Sequence, residues 1–330
     1  MKNFSPNANF QYYMYWINER MNIFWNRFEG KPAPYTNDEI LKQHKFTNVY
    51  RALDRASQYL LTHVIYNGNE YTAEEMFWRI LIYKHFNLPS TWDLLIEEFG
   101  DIDSRVSLGQ ISDYLVKKID EGHTLYSNAY MMTSAFLSGN TGKYCHLKAN
   151  KWRKHQYYFY IFERELIEGG KVSEIMAAKT MEEAFNIMSS VTSFGGFTTY
   201  QYIQDINYTN FVDWDDNSFC AAGPGTIRGI ERCFNITGKA DYQEIVKWVQ
   251  NNFESLCDAY GIKFHSIANH MPTVPDLSNC FCETDKYLRG AGVETEGKKV
   301  AGKRIKQVFK ENNKKINYVF PDKWLVGEMK

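Results

Sequence analysis

The sequence predicts an all-α protein. Three observations carry this: apolar residues recur at helical spacing through most of its 330 residues, alternating runs long enough for strands are few, and no internal repeat is present. A chain of this length forms one large domain or two modest ones and can bury a sizeable core. The expected arrangement is one compact unit, with two helical lobes around a cleft.

The elements follow in order. The N-terminal stretch MKNFSPNANFQYYMYW lacks the basic-then-apolar pattern of a signal peptide, and no run approaches a membrane span. Residues 1–43 are read as a helical extension. In TNVYRALDRASQYLLTHVIY, Val49, Leu53, Ala56, Leu60 and Val64 form one apolar stripe, while Asn48, Arg51, Arg55 and Gln58 share another face, either solvated or ligand-facing. EEMFWRILIYKHFN is apolar nearly all round, so it reads as a buried helix ending near Asn87-Leu88-Pro89, with Ser90-Thr91 as the next cap. Residues 142–170, rich in basic and aromatic side chains, join the two lobes. KTMEEAFNIMSSV and TTYQYIQDINYT are helices joined by the short turn Thr192–Phe197. YQEIVKWVQNNFESLCDAYGI is an amphipathic helix ending at Gly261. Residues 297–315 hold eight Lys or Arg against one Glu.

Composition sets bounds on partners. The balance of 38 basic and 39 acidic side chains gives a net charge of −1, so a nucleic-acid partner would need a local basic patch. The 23 Tyr, 22 Phe and 8 Trp serve cores and can also stack on bases. Six cysteines without CxxC pairs or zinc-like spacing read as reduced thiols of a cytoplasmic protein, with no metal site.

Three constellations can carry chemistry. The Gly195-Gly196 turn between two helices fits a hairpin whose amides approach a DNA phosphate, and fits equally an ordinary helical hairpin. In FCAAGPGTIRGIERCF, Gly223-Pro224-Gly225 opens a helix carrying Arg228 and Arg232. The backbone there comes close either to an anion or to another helix. The preceding loop sets Asp213, Asp215 and Asp216 around Trp214, either as a solvated loop or as carboxylates beside an aromatic plate. In DLSNCFCETDKYLRG, helical spacing places Asn279, Glu283 and Lys286 on one face, with Asp276, Asp285 and Arg289 nearby. That face is either a surface ion pair or a catalytic carboxylate with a positioned cation.

Taken together, the blocks TNVYRALDRASQYLL, FWRILIYKHFNLPSTWDLL, TLYSNAYMM, SFGGFTTYQYIQDINY, AAGPGTIRGI and DLSNCFCETDKYLR resemble the alpha-glutamyl/putrescinyl-thymine pyrophosphorylases, or amino acid:DNA transferases. These are a branch of the helix-hairpin-helix DNA glycosylase superfamily, related to the helical domain of 5-hydroxymethyluracil DNA kinases. The resemblance covers roughly residues 44–290, leaving 291–330 as a basic C-terminal segment. It implies a helix-hairpin-helix DNA-glycosylase-like fold. Gly195 and Gly196 would hold the DNA backbone, with a monovalent cation at the hairpin and no other cofactor. Gly223, Pro224 and Gly225 match the family's GPG signature, and Glu283, Lys286 and Arg289 its CE-x-DKY-x-R signature. Asn48, Arg51, Asp54 and Arg55 match its N-x-x-R-x-x-DR helix.

One departure bears on the reaction. Superfamily glycosylases place a catalytic Asp where FCAAGPG falls here, and the lysine of bifunctional lyases is replaced near Phe197, so no Schiff-base step is expected. The carboxylate would come from Glu283, Asp216 or Asp215. The first functional expectation is a monofunctional DNA glycosylase that flips and excises a hypermodified pyrimidine, such as a glycosylated 5-hydroxymethyl base of phage DNA, in phage DNA modification or in defence against phage. Arg51, Arg55, Gly223, Gly225, Arg228 and Lys286 would bind the substrate, with Trp214 or Tyr200 stacking on the base. Lys303 and Arg304 would touch backbone phosphates. The alternatives are an amino acid or polyamine transferase acting on pyrophosphorylated 5-hydroxymethyluracil, with Arg51, Arg55, Arg228 and Lys286 holding pyrophosphate, and a non-catalytic module. The partner in each case is double-stranded DNA with modified bases, bound by a monomer. A kinase activity is not expected, since GVETEGKKVAGKR lacks the spacing and the Ser/Thr of a GxxxxGK[ST] loop.

Overall fold

The computed structural model describes residues 3–127, 142–294, 305, 307–311 and 317–326. It is mainly helical, and the described strands form one short antiparallel pair. The chain divides into two compact units. The first comprises Met1–Asp54, Asp216–Phe320 and Trp324–Lys330; the second comprises Arg55–Asp215 with Pro321–Lys323. Residues 1–43, expected as an extension, contribute two helices, Phe10–Phe28 and Glu39–Gln43, to the first unit. Among the described residues no helix is long and apolar enough to cross a membrane.

The first unit is organised on the Val274–Ala291 helix. Thr273 starts it: its backbone N–H and hydroxyl donate to Asp276 at 3.0 and 2.9 Å, and Pro275 sits in the first turn, where no N–H is needed. Gly292 stops it at φ 66°, a conformation an L side chain resists. The Phe10–Phe28 helix lays Tyr13 flat on Phe281, with centroids 4.0 Å apart, and the buried Tyr13 hydroxyl donates to Leu277 O at 3.0 Å. The strands Phe4–Pro6 and Phe234–Ile236 pair Ser5 with Asn235, fastening the N-terminus to the end of the Pro224–Cys233 helix. The amphipathic run expected to reach Gly261 unbroken is two helices, Tyr242–Asn251 and Phe253–Ala259. Asn252 breaks it because its side-chain amide donates to Trp248 O at 2.7 Å, competing with the ladder.

In the second unit the Ala73–Phe86 helix is buried nearly all round, as its composition requires. Its Arg79, 0 % exposed, donates to Val64 O at 3.0 Å and Ile102 O at 2.8 Å, and pairs with Asp101. Asn87 ends the helix in the left-handed region (φ 47°), and Pro89 is the first residue of the next helix, Pro89–Phe99. Leu88 therefore occupies the cap position assigned to Ser90-Thr91, and the Thr91 hydroxyl bonds Leu125 O instead.

The segment expected as one helix over TNVYRALDRASQYLLTHVIY is broken at Asp54. Arg51–Leu53 is a 3-10 turn of the first unit, and Arg55–Tyr59 continues as a π turn, Leu60–Ile65, in the second. Asp54 adopts an extended conformation because its carboxylate accepts from the Asn48 backbone at 2.9 Å and side-chain amide at 3.0 Å. The helical hairpin is present: Met181–Ser189, a turn, then Gly196–Ile206.

Candidate functional site

The close approach implied by Gly223-Pro224-Gly225 is to another helix. A Cβ at Gly225 would lie 2.3 Å from Cys282 Sγ, and one at Gly229 would lie 2.0 Å from Phe281 O. The Pro224–Cys233 helix thus presents a glycine face to Val274–Ala291 at backbone contact distance, and Thr226 donates to Ser278 O at 3.0 Å within the seam. Gly223 is the N-cap and Pro224 the first helical residue, so the turn also sets where the helix begins. A cavity of about 530 Å³ borders this turn, lined by Ala222, Lys239, Ala240, Asp241, Tyr242 and Gln243.

The same crossing assembles a charge cluster from Arg228, Arg232, Asp285 and Arg289, residues that the sequence singled out on two separate helices without joining them. Asp285, 1 % exposed, is approached by Arg232 Nε at 2.8 Å, Arg228 Nε at 3.3 Å and Arg289 Nε at 3.3 Å. The Arg232 and Arg289 side chains are largely covered, whereas that of Arg228 is 56 % exposed. The cluster can therefore offer guanidinium donors to an anion such as phosphate.

The opposite side of Val274–Ala291 holds the segment Lys45–Asp54. Glu283, 7 % exposed, accepts from the Thr47 backbone N–H at 3.0 Å and from Lys286 Nζ at 3.1 Å. Lys286 also donates to Lys45 O and lies 4.4 Å from the centre of the Phe46 ring. Asn279 donates to Thr47 Oγ1 at 2.9 Å, so the three residues predicted to share a face do so and bind one loop. Arg51, 5 % exposed, donates its backbone N–H to Asp276 at 2.8 Å. Burial raises the Asp276 carboxyl above the ordinary range.

Sequence reasoning missed Arg20 here. From the Phe10–Phe28 helix it donates to Thr47 O and to Asn48 Oδ1, each at 2.8 Å. Burial lowers its guanidinium to about 10, and loss of solvent pushes the Asp54 carboxyl up to about 6. Nothing in the local spacing joins Arg20 to a loop more than twenty residues later.

The remaining expected residues are distributed as follows. Arg55 is exposed and belongs to the second unit, while Arg51 belongs to the first, because the break at Asp54 parts them. Trp214 does not stand as an aromatic plate: it is 3 % exposed, and its indole N–H donates to Ala178 O at 2.9 Å. Tyr200 is likewise 3 % exposed, edge-on to Phe185. Asp215 is exposed and Asp216 half-buried, and the division between units falls between them. Gly195 caps the Gly196–Ile206 helix without a side-chain bond; a Cβ there would meet open space, and one at Gly196 only Phe185 at 3.6 Å. Lys303 and Arg304, with most of the basic C-terminal run, lie outside the described residues. Among the described residues no group of three or more His, Cys, Asp or Glu is placed to hold a metal ion.

Three comparisons bear on this geometry. The chain is 24 % identical over 326 residues to the 5-hmdU DNA kinase of Bacillus phage SP10, covering 93 % of this chain and 50 % of that protein. It thus spans about half the length of the curated relative it matches. No solved structure matches. A family model described as the 5-hmdU DNA kinase helical domain matches residues 7–297, and with nearly the whole helical chain inside that match, the protein belongs to this family.

Proposed function

We propose that this chain binds a 5-substituted pyrimidine nucleotide of DNA and serves transfer of a group to or from the 5-substituent. The observation that supports it is the Asp285 cluster, in which three guanidiniums share one carboxylate and Arg228 remains half exposed. Phosphate oxygens on the substituent, or leaving from it, would be met by the exposed Arg228 guanidinium, and fixed guanidinium donors favour a transition state in which negative charge develops. The relative's name, a kinase for 5-hmdU DNA, is likewise that of a transfer enzyme. The finer reading is transfer of an amino acid or polyamine onto pyrophosphorylated 5-hydroxymethyluracil, within a helix-hairpin-helix scaffold akin to the pyrophosphorylases.

This reading is preferred to the glycosylase expectation. Hydrolysis needs a carboxylate free to face the sugar. Of the three carboxylates expected to serve it, Glu283 is already engaged by Thr47 and Lys286. Extruding the nucleotide costs a few kcal/mol, which contacts to the base and phosphates must offset.

The test is mass spectrometry of nucleosides after the chain is incubated with duplexes carrying thymine, 5-hydroxymethyluracil or its pyrophosphoryl ester, each with amino acid or polyamine. A 5-adduct formed only on the activated duplex is expected, at a rate lowered by Arg228→Ala. Unchanged nucleosides throughout would refute transfer by this chain, and released base with abasic sites would restore hydrolysis.

A further inference from the structure

The second unit carries a surface that the proposed site does not use. Between residues 142 and 162 there are five Lys or Arg and no Asp or Glu. The first part is a 3-10 helix, Gly142–Asn150, in which residues three apart fall in line. Tyr144 and Leu147 take the inner line, at 4 % and 5 % exposure, which turns Lys143 and Lys148 outward. Lys151 and Arg153 follow, both exposed, on either side of a half-buried Trp152. Trp152 is held by Tyr157 and Tyr160, with centroids 5.4 and 5.8 Å away, and its backbone N–H donates to Tyr157 Oη at 3.1 Å.

Two of these cations have local partners: Lys143 reaches Glu165 at 3.4 Å and Arg153 reaches Asp120 at 2.7 Å. Lys148 and Lys151 form no ion pair among the described residues. The segment is also tied to the glycine hairpin. Glu165 accepts from the Thr192 backbone N–H at 2.8 Å and hydroxyl at 2.7 Å while it holds Lys143. Thr192 opens the turn that leads to Gly195, the N-cap without a side-chain bond.

We infer that Lys143–Lys154 is a DNA-backbone docking surface, in which Lys148 and Lys151 take phosphates and Trp152 meets a sugar or base face. The inference rests on the reading of the chain as DNA-acting and adds where the duplex is gripped. Cations without an ion pair among the described residues, interleaved with a rigidly held aromatic, suit a polyanion with flat apolar groups, whereas an acidic peptide would use the charges alone.

Fluorescence anisotropy of a labelled duplex, titrated with the full chain across a salt series, tests it. Each phosphate contact contributes a slope of about 0.9 in log affinity against log salt, so Lys148→Gln/Lys151→Gln should flatten the slope by about 1.8. At about 0.1 M salt, affinity should fall on the order of tenfold. Circular dichroism of the double variant should be unchanged, since both side chains are exposed. A wild-type slope in that variant overturns the inference and leaves the transfer reading standing. Equal affinity of the wild type for polyglutamate of matched charge overturns the assignment to DNA. Failure of the wild type to bind any duplex removes the DNA-acting reading itself, and the inference with it.

Discussion

Replacing Gly225 by alanine separates packing from ligand approach at the GPG turn. The new Cβ would stand 2.3 Å from Cys282 Sγ and 3.2 Å from Cys282 Cβ. Carbon and sulfur pack at about 3.5–4 Å, so either the thiol changes rotamer or the helices part by about 1 Å. Overpacking of this kind costs about 1–3 kcal/mol, against which alanine returns about 0.5–1 kcal/mol of helix propensity. The net loss should be about 1–2 kcal/mol, seen in urea unfolding and as a melting point lowered by roughly 2–8 °C. Cys282→Ala removes the sulfur, so the double variant Gly225→Ala/Cys282→Ala should recover most of that loss, with a coupling on the order of 1 kcal/mol. Gly229→Ala should be worse and beyond rescue by side-chain truncation, because its Cβ would meet Phe281 O at 2.0 Å and Phe281 C at 2.6 Å, both backbone. If Gly225→Ala unfolds like the wild type, or if removing the thiol does not help, the glycine is not there for the helix seam.

Other perturbations probe the charged groups. Asp285→Ala, which removes the buried carboxylate that three guanidiniums share, should cost about 3–5 kcal/mol in urea unfolding, and added phosphate should restore part of it. Trp214→Phe removes the bond to Ala178 O and some core volume, and should destabilise by about 1–3 kcal/mol without changing duplex affinity in anisotropy. His155 is fully buried, with Nδ1 3.1 Å from Tyr126 Oη, Nε2 3.2 Å from Ser112 O and Arg153 adding repulsion; burial lowers it to about 4. The unfolded chain takes up that proton first, so stability is full above about pH 6.5 and falls as pH drops toward 4. One unit below 6.5 the loss is about 1.4 kcal/mol. Asp54, raised to about 6, has the opposite sign: the folded state is protonated first, so its contribution grows as pH falls from about 6 toward 4. Hydrogen exchange at pH 7.5 and 5.5 should therefore show amides near His155 losing protection while those near Asp54 do not.

The helical class and most helix positions were legible because they depend on local periodicity. So was the shared face of Asn279, Glu283 and Lys286, since a helix fixes spacing whatever it packs against. The break at Asp54 was not, although Val49 to Val64 keep helical spacing across it. An apolar stripe survives a change of direction when both halves are buried, and Leu53 and Leu60 are each 1 % exposed. The GPG turn was legible as a close approach, but the expected object was an extruded nucleotide whereas the Gly225 and Gly229 face meets the neighbouring helix, because a missing side chain records only that something lies near. The Asp285 cluster and the Arg20 contacts join residues far apart in the chain, a relation that no local pattern records.

The two-unit division has a consequence for biogenesis. Met1–Asp54 must wait for Asp216–Phe320 before its unit can close, while Arg55–Asp215 is nearly continuous. At about 5–20 residues per second the ribosome needs on the order of 10–30 s to supply the missing partner. Through that interval the apolar flank of the first long helix, with Phe10, Tyr13, Trp16 and Phe24, stays uncovered on the nascent polypeptide. Slowing translation beyond Asp216 should prolong that exposure and bring chaperones to the emerging N-terminus, whereas the later-emerging interior block can finish on its own.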